Sequence, residues 1–210
     1  MQKTLKYNLL RWLVPVVLVV AVLMPGAPAC AEDHVRDGWF IGMGYGYGRG
    51  VITTSDGLDF SYRNGATPQI RFGHSVSKHF QAGMEYGGWM FEEGDVDFKY
   101  RYSLQTVTAA LSWFPGEENS YWGGFYGRAG VGLAWGRGVR VTLEDQEQVE
   151  SVNITETGLG LIFQFGYEFR ITHNAAAGLS LGYSHLDIDK DLFKEARYVS
   201  AALTLNWYWD

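Results

Sequence analysis

The side chains that could do chemistry fall into three groups. Ser184 and His185 are adjacent, with Asp187 close by, and together supply a nucleophile, a base and an acid. Hydrolysis by such a set needs the hydroxyl and the imidazole on one face, with the carboxylate beyond the ring. Neighbouring residues of a strand point to opposite faces, so in a strand Ser184 and His185 diverge. The His-x-Ser spacing that would align them is absent. His34 precedes the patterned region, His79 and His173 fall in turns, and His74 lies on an apolar face. The expectation is a chain with no catalytic residues.

The second group is Asp187-Ile188-Asp189-Lys190-Asp191, which hints at a calcium loop. The sixth position is Leu192 where such a loop needs glycine, and the twelfth is Tyr198 where it needs glutamate. Zinc spacings and phosphate-binding glycine loops are also missing, so neither a metal nor a cofactor is expected. The third group is Arg71, Glu85, Arg128 and Glu168, four charges set among small polar residues. Their meaning depends on the elements that carry them.

Those elements alternate with period two, the periodicity of strands. Trp39, Ile41, Met43, Tyr45 and Tyr47 interleave with Phe40, Gly42, Gly44, Gly46 and Gly48. Leu159, Leu161, Phe163, Phe165 and Tyr167 interleave with Gly160, Ile162, Gln164, Gly166 and Glu168. Val199, Ala201, Leu203, Leu205, Trp207 and Trp209 interleave with Ser200, Ala202, Thr204, Asn206 and Tyr208. Five further runs, near residues 69–76, 80–87, 106–113, 125–136 and 178–184, repeat the pattern and bring the count to eight. The 27 glycines and the 16% aromatic content follow, one filling the bare face and the other the bulky one.

A soluble barrel turns its apolar face inward and carries charge outside. Here the second face is glycine, serine, threonine and glutamine, which suits a narrow interior better than a wet exterior. The bulky face then requires lipid, where every backbone polar group must be paired and a closed barrel is the strand solution. Arg71, Glu85, Arg128 and Glu168 fall on the inner face, two of each sign, as a self-compensating lumen cluster. An ion path is the functional alternative to that plug. One specific expectation is that Arg71 pairs with Glu85 across a hairpin turning at Ser77-Lys78-His79.

Three connections read as short, Ser77-Lys78-His79, 115–120 and 171–174. Four read as long loops, 50–66, 92–99, 137–156 and 187–196, and strict alternation predicts periplasmic turns with both termini periplasmic. Trp39, Phe80, Trp113, Tyr121, Phe169 and Trp207 form one expected interfacial girdle, with Tyr47, Trp135 and Tyr183 toward the other.

Residues 1–31 read as a signal peptide: Lys3, Lys6 and Arg11, an apolar stretch from Trp12 to Met24, and cleavage after Ala31. A short periplasmic segment, 32–37, then leads into a barrel over 38–210. Cys30, the sole cysteine, leaves with the signal on this reading, although its lipidation is the alternative. Losing three basic residues takes the net charge from −6 to −9, with 14 basic against 23 acidic residues. Such a balance opposes nucleic-acid binding.

The opening Gly38-Trp39-Phe40-Ile41-Gly42-Met43-Gly44-Tyr45-Gly46, the run 125–135, and Gly166-Tyr167-Glu168-Phe169 resemble strands of the OmpA/OmpX-type small outer membrane β-barrel proteins. The resemblance spans about residues 38–209 and departs from the family in placing Asp210 after the last aromatic. It implies an all-β, eight-stranded antiparallel up-and-down transmembrane barrel in the bacterial outer membrane. The implied partners are outer membrane lipids, lipopolysaccharide and the insertion machinery, with the protein a monomer. It further implies a non-catalytic structural or surface-binding role through acidic loops. The alternatives are a narrow pore for small solutes and a lipid-modifying enzyme similar to lipid A deacylases.

Overall fold

The computed structural model describes residues 36–53, 59–94, 98–117, 120, 122–144, 147–188 and 194–209. The expected signal segment with Ala31 and Cys30, and the expected girdle residue Tyr121, lie outside them. Eight strands follow in order: β1 Trp39–Thr53, β2 Asp59–Ser77, β3 Phe80–Gly94, β4 Phe98–Trp113, β5 Phe125–Glu144, β6 Glu147–Arg170, β7 Ala175–Asp187 and β8 Glu195–Trp209. Each pairs antiparallel with the next, and β8 returns to β1 to close the barrel, with Trp39 opposite Trp209. Closure leaves no unpaired strand edge.

At one end the connections are tight. Lys78 and His79 join β2 to β3, and residues 171–174 join β6 to β7, where Ile171 N–H donates to Ala175 O at 2.9 Å. The join between β4 and β5 runs over 114–124, longer than the 115–120 expected. The second hairpin has the anticipated register, Gly73 opposite Gly83 and Arg71 opposite Glu85, but a bulge between Ser75 and Ser77 puts Ser77 opposite Phe80.

At the other end the expected long loops are largely strand. β5 and β6 stay paired out to Glu144 and Glu147, and β1 and β2 out to Thr53 and Asp59. β3 and β4 pair to Gly94 and Lys99, and β7 and β8 to Asp187 and Glu195. The physical reason is a change of solvent partway up each strand. In the lower half the apolar residues face out: Phe165 is 72% exposed and Leu203 51%. In the upper half the apolar residues occupy the inner positions. Ile52, Trp89, Phe91, Leu104, Ala134, Leu186, Ile188, Ala196 and Tyr198 form one buried cluster, with Tyr102 packed against it. The same ladder thus runs from lipid into water by exchanging which face is apolar.

Glycine controls how closely neighbouring strands approach. A Cβ at Gly132 would lie 2.0 Å from Val107 O and 2.6 Å from Thr108 Cα, both backbone atoms that cannot yield. A Cβ at Gly87 would meet nothing closer than 3.8 Å. Gly132→Ala is therefore expected to cost about 1–3 kcal/mol, and Gly87→Ala to stay within about 0.5 kcal/mol of wild type. Urea titrations of both variants in bilayers check the pair, and equal effects would contradict the packing.

Candidate functional site

Among the described residues polar chemistry concentrates in the barrel interior, which is built in three layers. The middle layer holds Arg71, Glu85, Arg128 and Glu168, all between 3% and 5% exposed. Strand alternation sends each inward from β2, β3, β5 and β6. Arg71 stands opposite Glu85 on the adjacent strand, as expected, and the ion pairs within 4.0 Å run to other partners. Arg128 Nη1 lies 3.3 Å from Glu85 Oε2, while Arg71 Nη2 lies 4.0 Å from Glu168 Oε1 and donates to Asn206 Oδ1 at 2.5 Å. Register places Arg71 beside Glu85 on adjacent strands, but curvature of the closed sheet brings β5 and β6 across the lumen to compete.

Neutral side chains hydrogen-bond to these charges, leaving Arg71 Nε and Arg128 Nη2 without a partner among the described residues. Arg128 also donates to Ser112 Oγ at 2.7 Å and to Gln164 Oε1 at 2.9 Å. Gln164 Nε2 donates to Glu85 Oε1 at 2.8 Å and to Gln69 Oε1 at 3.1 Å. Glu168 accepts from Asn206 Nδ2 at 2.7 Å and from Tyr208 O–H at 2.8 Å. Bidirectional amides therefore connect five strands through the centre. Buried charges that are paired and hydrogen-bonded avoid the full desolvation cost.

The layer nearest the tight turns contains a cation that the sequence pattern does not reveal. Arg36, ahead of β1, is buried at 3% and lies 3.8 Å over the Phe114 ring. Its Nε is 4.0 Å from Glu168 Oε2, and its Nη2 donates to Gly123 O. Phe40, Tyr126 and Tyr208 complete this floor, with Phe114 and Tyr126 ring centres 5.5 Å apart. Asp37 and Gly38 swing the chain from the floor into β1. The Asp37 carboxylate accepts from Gly38 N–H at 2.9 Å, and Gly38 has φ 69°, a value that suits glycine. No periodic signal marks Arg36, because it precedes the alternating run.

Above the charges sits the apolar cluster capped by Trp89. Its indole N–H donates to Gly48 O at 3.4 Å, and its ring stacks on Tyr198 at 6.2 Å and meets Phe91 at a tilt, 4.8 Å between centres. Gly50 and Gly65 leave room for it, since a Cβ at either would come within 3.0 Å of the indole. Between cap and charges lies a cavity of about 20 Å³ lined by Thr67, Gln69, Thr106, Ser184 and Tyr198, among others. A second, of about 10 Å³, adjoins Arg71, Gln81, Ser112 and Arg128. Each has space for about one water, far from a continuous column.

The other chemical candidates separate. Ser184 is buried at 6% in the cavity wall, whereas His185 faces outward with Nδ1 3.5 Å from Glu195 Oε1. Asp187 is also on the outer face, and Asp189, Lys190, Asp191 and Leu192 lie outside the described residues. Among the described residues no three His, Cys, Asp or Glu side chains group as a metal site. No described helix is long and apolar enough to cross a membrane.

The exterior carries a continuous apolar belt, from Trp39, Phe80, Trp113, Phe125 and Trp207 up to Tyr47, Tyr86 and Tyr183. Belts of this extent on water-soluble monomers are limited to a few hundred Å², and strands crossing lipid present a band about 25 Å tall. Lipid is the solvent that fits.

No family model matches the sequence, and no curated protein matches it. Solved structures do match in shape. Ail, the attachment invasion locus protein of Yersinia pestis, superposes with a TM-score of 0.50 at 14% identity, covering 81% of this chain and 98% of Ail. Neisserial surface protein A gives a TM-score of 0.53 at 14% identity, covering 81% of this chain and 97% of that protein. Likeness at that identity concerns the fold. With the closed eight-strand ladder and the apolar belt, it makes this chain a small eight-stranded β-barrel of the outer membrane type.

Proposed function

We propose that the protein is a sealed, non-catalytic outer membrane barrel that holds a β-stranded rim and acidic loops outside the cell for structural or surface-binding work. The observation that carries this reading is the interior closed at three levels, by Arg36 and the floor aromatics, by the paired charges, and by the Trp89 cluster. A barrel of eight strands is just wide enough for side chains to fill, so such packing supports an anchor more than a conduit. Glu92, Glu144, Glu147 and Asp187, described members of the acidic stretches 92–97, 144–147 and 187–191, stand at strand ends away from the tight turns. On this reading both termini are periplasmic. The partners are outer membrane lipids, lipopolysaccharide and the insertion machinery, and the working unit is a monomer.

Conductance of the refolded protein in planar bilayers tests the seal. Wild type is expected to be silent, while Trp89→Ala combined with Glu85→Ala should leak. Stable, uniform openings in wild type would establish a pore instead. Mass analysis of lipid A from cells with and without the protein is expected to show no change, and loss of an acyl chain would establish an enzyme.

A further inference from the structure

The outward-facing arginines of the described strands are unevenly placed. Arg49 on β1, Arg101 on β4, Arg137 on β5 and Arg197 on β8 all stand where the apolar belt ends, on the side away from the tight turns. The opposite boundary presents aromatics, Trp39, Phe80, Trp113 and Trp207, at the corresponding positions. The four form two diagonal pairs, Arg101 with Arg137 across β4–β5 and Arg49 with Arg197 across β1–β8. Arg49 is opposite Val199 and Arg197 is opposite Val51 in the β1–β8 ladder, so the two guanidinium-bearing positions are diagonal neighbours on one face. Diagonal positions lie about 7–8 Å apart, a gap that one phosphate accepting from both side chains spans.

The surroundings leave these two charges available. Arg101 is taken by Glu92, with Nη2 2.8 Å from Oε2. Arg49 lies over the Tyr62 ring at 4.6 Å, a contact that fixes the guanidinium while leaving its N–H edge for an acceptor. Arg197 is opposite His185 on β7, and the carboxylate nearest along its own strand, Glu195, is turned to that His185 at 3.5 Å. Asp187, paired with Glu195, lies one outward position further from the lipid. Among the described residues no carboxylate is within ion-pair distance of Arg49 or Arg197. Below them Tyr47 and Val199 belong to the belt. A ligand here must have acyl chains against the belt and an anion at its edge.

We propose that Arg49 and Arg197 form a binding site for the phosphate of an anionic acyl lipid headgroup, held at the boundary of the belt between β1 and β8. The proposal rests on the membrane reading above. Guanidinium forks match phosphate oxygens with charge-assisted hydrogen bonds, and basic residues at the membrane surface favour anionic lipid.

The test uses refolded full-length barrel in zwitterionic detergent, with native mass spectrometry counting bound lipid. The probes are a phosphorylated acyl glycolipid, the same lipid with its phosphate removed, and inorganic phosphate alone. Wild type is expected to prefer the phosphorylated lipid by roughly tenfold or more. Arg49→Gln with Arg197→Gln should abolish the preference, while Arg101→Gln should keep it. Equal binding of the two lipids by wild type would overturn the assignment without needing any variant. Retention by inorganic phosphate alone would make the site a free-anion site and overturn the lipid assignment. A heat-modifiable gel shift for every sample reports insertion separately, so its failure in wild type counts against the membrane reading.

Discussion

Arg128→Met is expected to destabilise the barrel by about 3–5 kcal/mol, the cost of leaving a buried charge without its partner. Glu85 is 4% exposed, and Arg128 is the cation nearest its carboxylate, at 3.3 Å. Gln164 remains as a donor to Glu85 at 2.8 Å, which keeps the expected value toward the lower end. Adding Glu85→Gln to the variant removes the orphaned charge and should recover much of the loss, because a neutral pair in a packed interior needs no counter-ion. Urea midpoints followed by tryptophan fluorescence measure both variants. A loss below about 1 kcal/mol for Arg128→Met would place the pair in water and contradict the closed lumen.

Leu203→Arg should cost about 2–4 kcal/mol, the penalty for a cation near the middle of the lipid band. On β8 the outward positions run from Trp209 to Arg197, and Leu203 is the central one, between Tyr45 on β1 and Leu179 on β7. Ser180→Ala provides the contrast. Ser180 is 5% exposed on the inner face, and its replacement removes one hydroxyl and opens no large void. Refolding titrations into bilayers should separate the two variants clearly. Equal tolerance would mean the faces are reversed, with Leu203 in water.

How much of this was legible in the sequence follows from which solvent each residue meets. The runs from Trp39 to Tyr47 and from Val199 to Trp209 alternate against one solvent, lipid, and their faces read directly. Beyond Tyr86 the inward, odd-numbered positions of β3 turn apolar at Trp89 and Phe91, and beyond Tyr183 the inward, even-numbered positions turn apolar at Leu186 and Ile188. Alternation persists there with inverted polarity, so a rule seeking large residues outside ends the strands too early and reads loops. The four lumen charges were legible as inner-face residues, because parity alone assigns a face. Their partners were not. Arg71 meeting Glu168, and Glu85 meeting Arg128, depend on which strands face each other across the lumen, and local spacing does not encode this. Arg36 escaped for a different reason, since its burial depends on the Gly38 turn and the Phe114 ring.

Quencher access along β8 tests the central claim most directly, that one strand separates lipid from a sealed interior. Single cysteines are placed one at a time at positions 199 to 207 of the refolded barrel and labelled with a fluorophore. They are then challenged with a lipid-borne quencher and a water-soluble one. The account predicts lipid quenching at Val199, Ala201, Leu203, Leu205 and Trp207. Protection from both quenchers is expected at Ser200, Ala202, Thr204 and Asn206. Water-soluble quenching at the even positions would open the lumen, and water-soluble quenching at the odd positions would take the barrel out of the membrane.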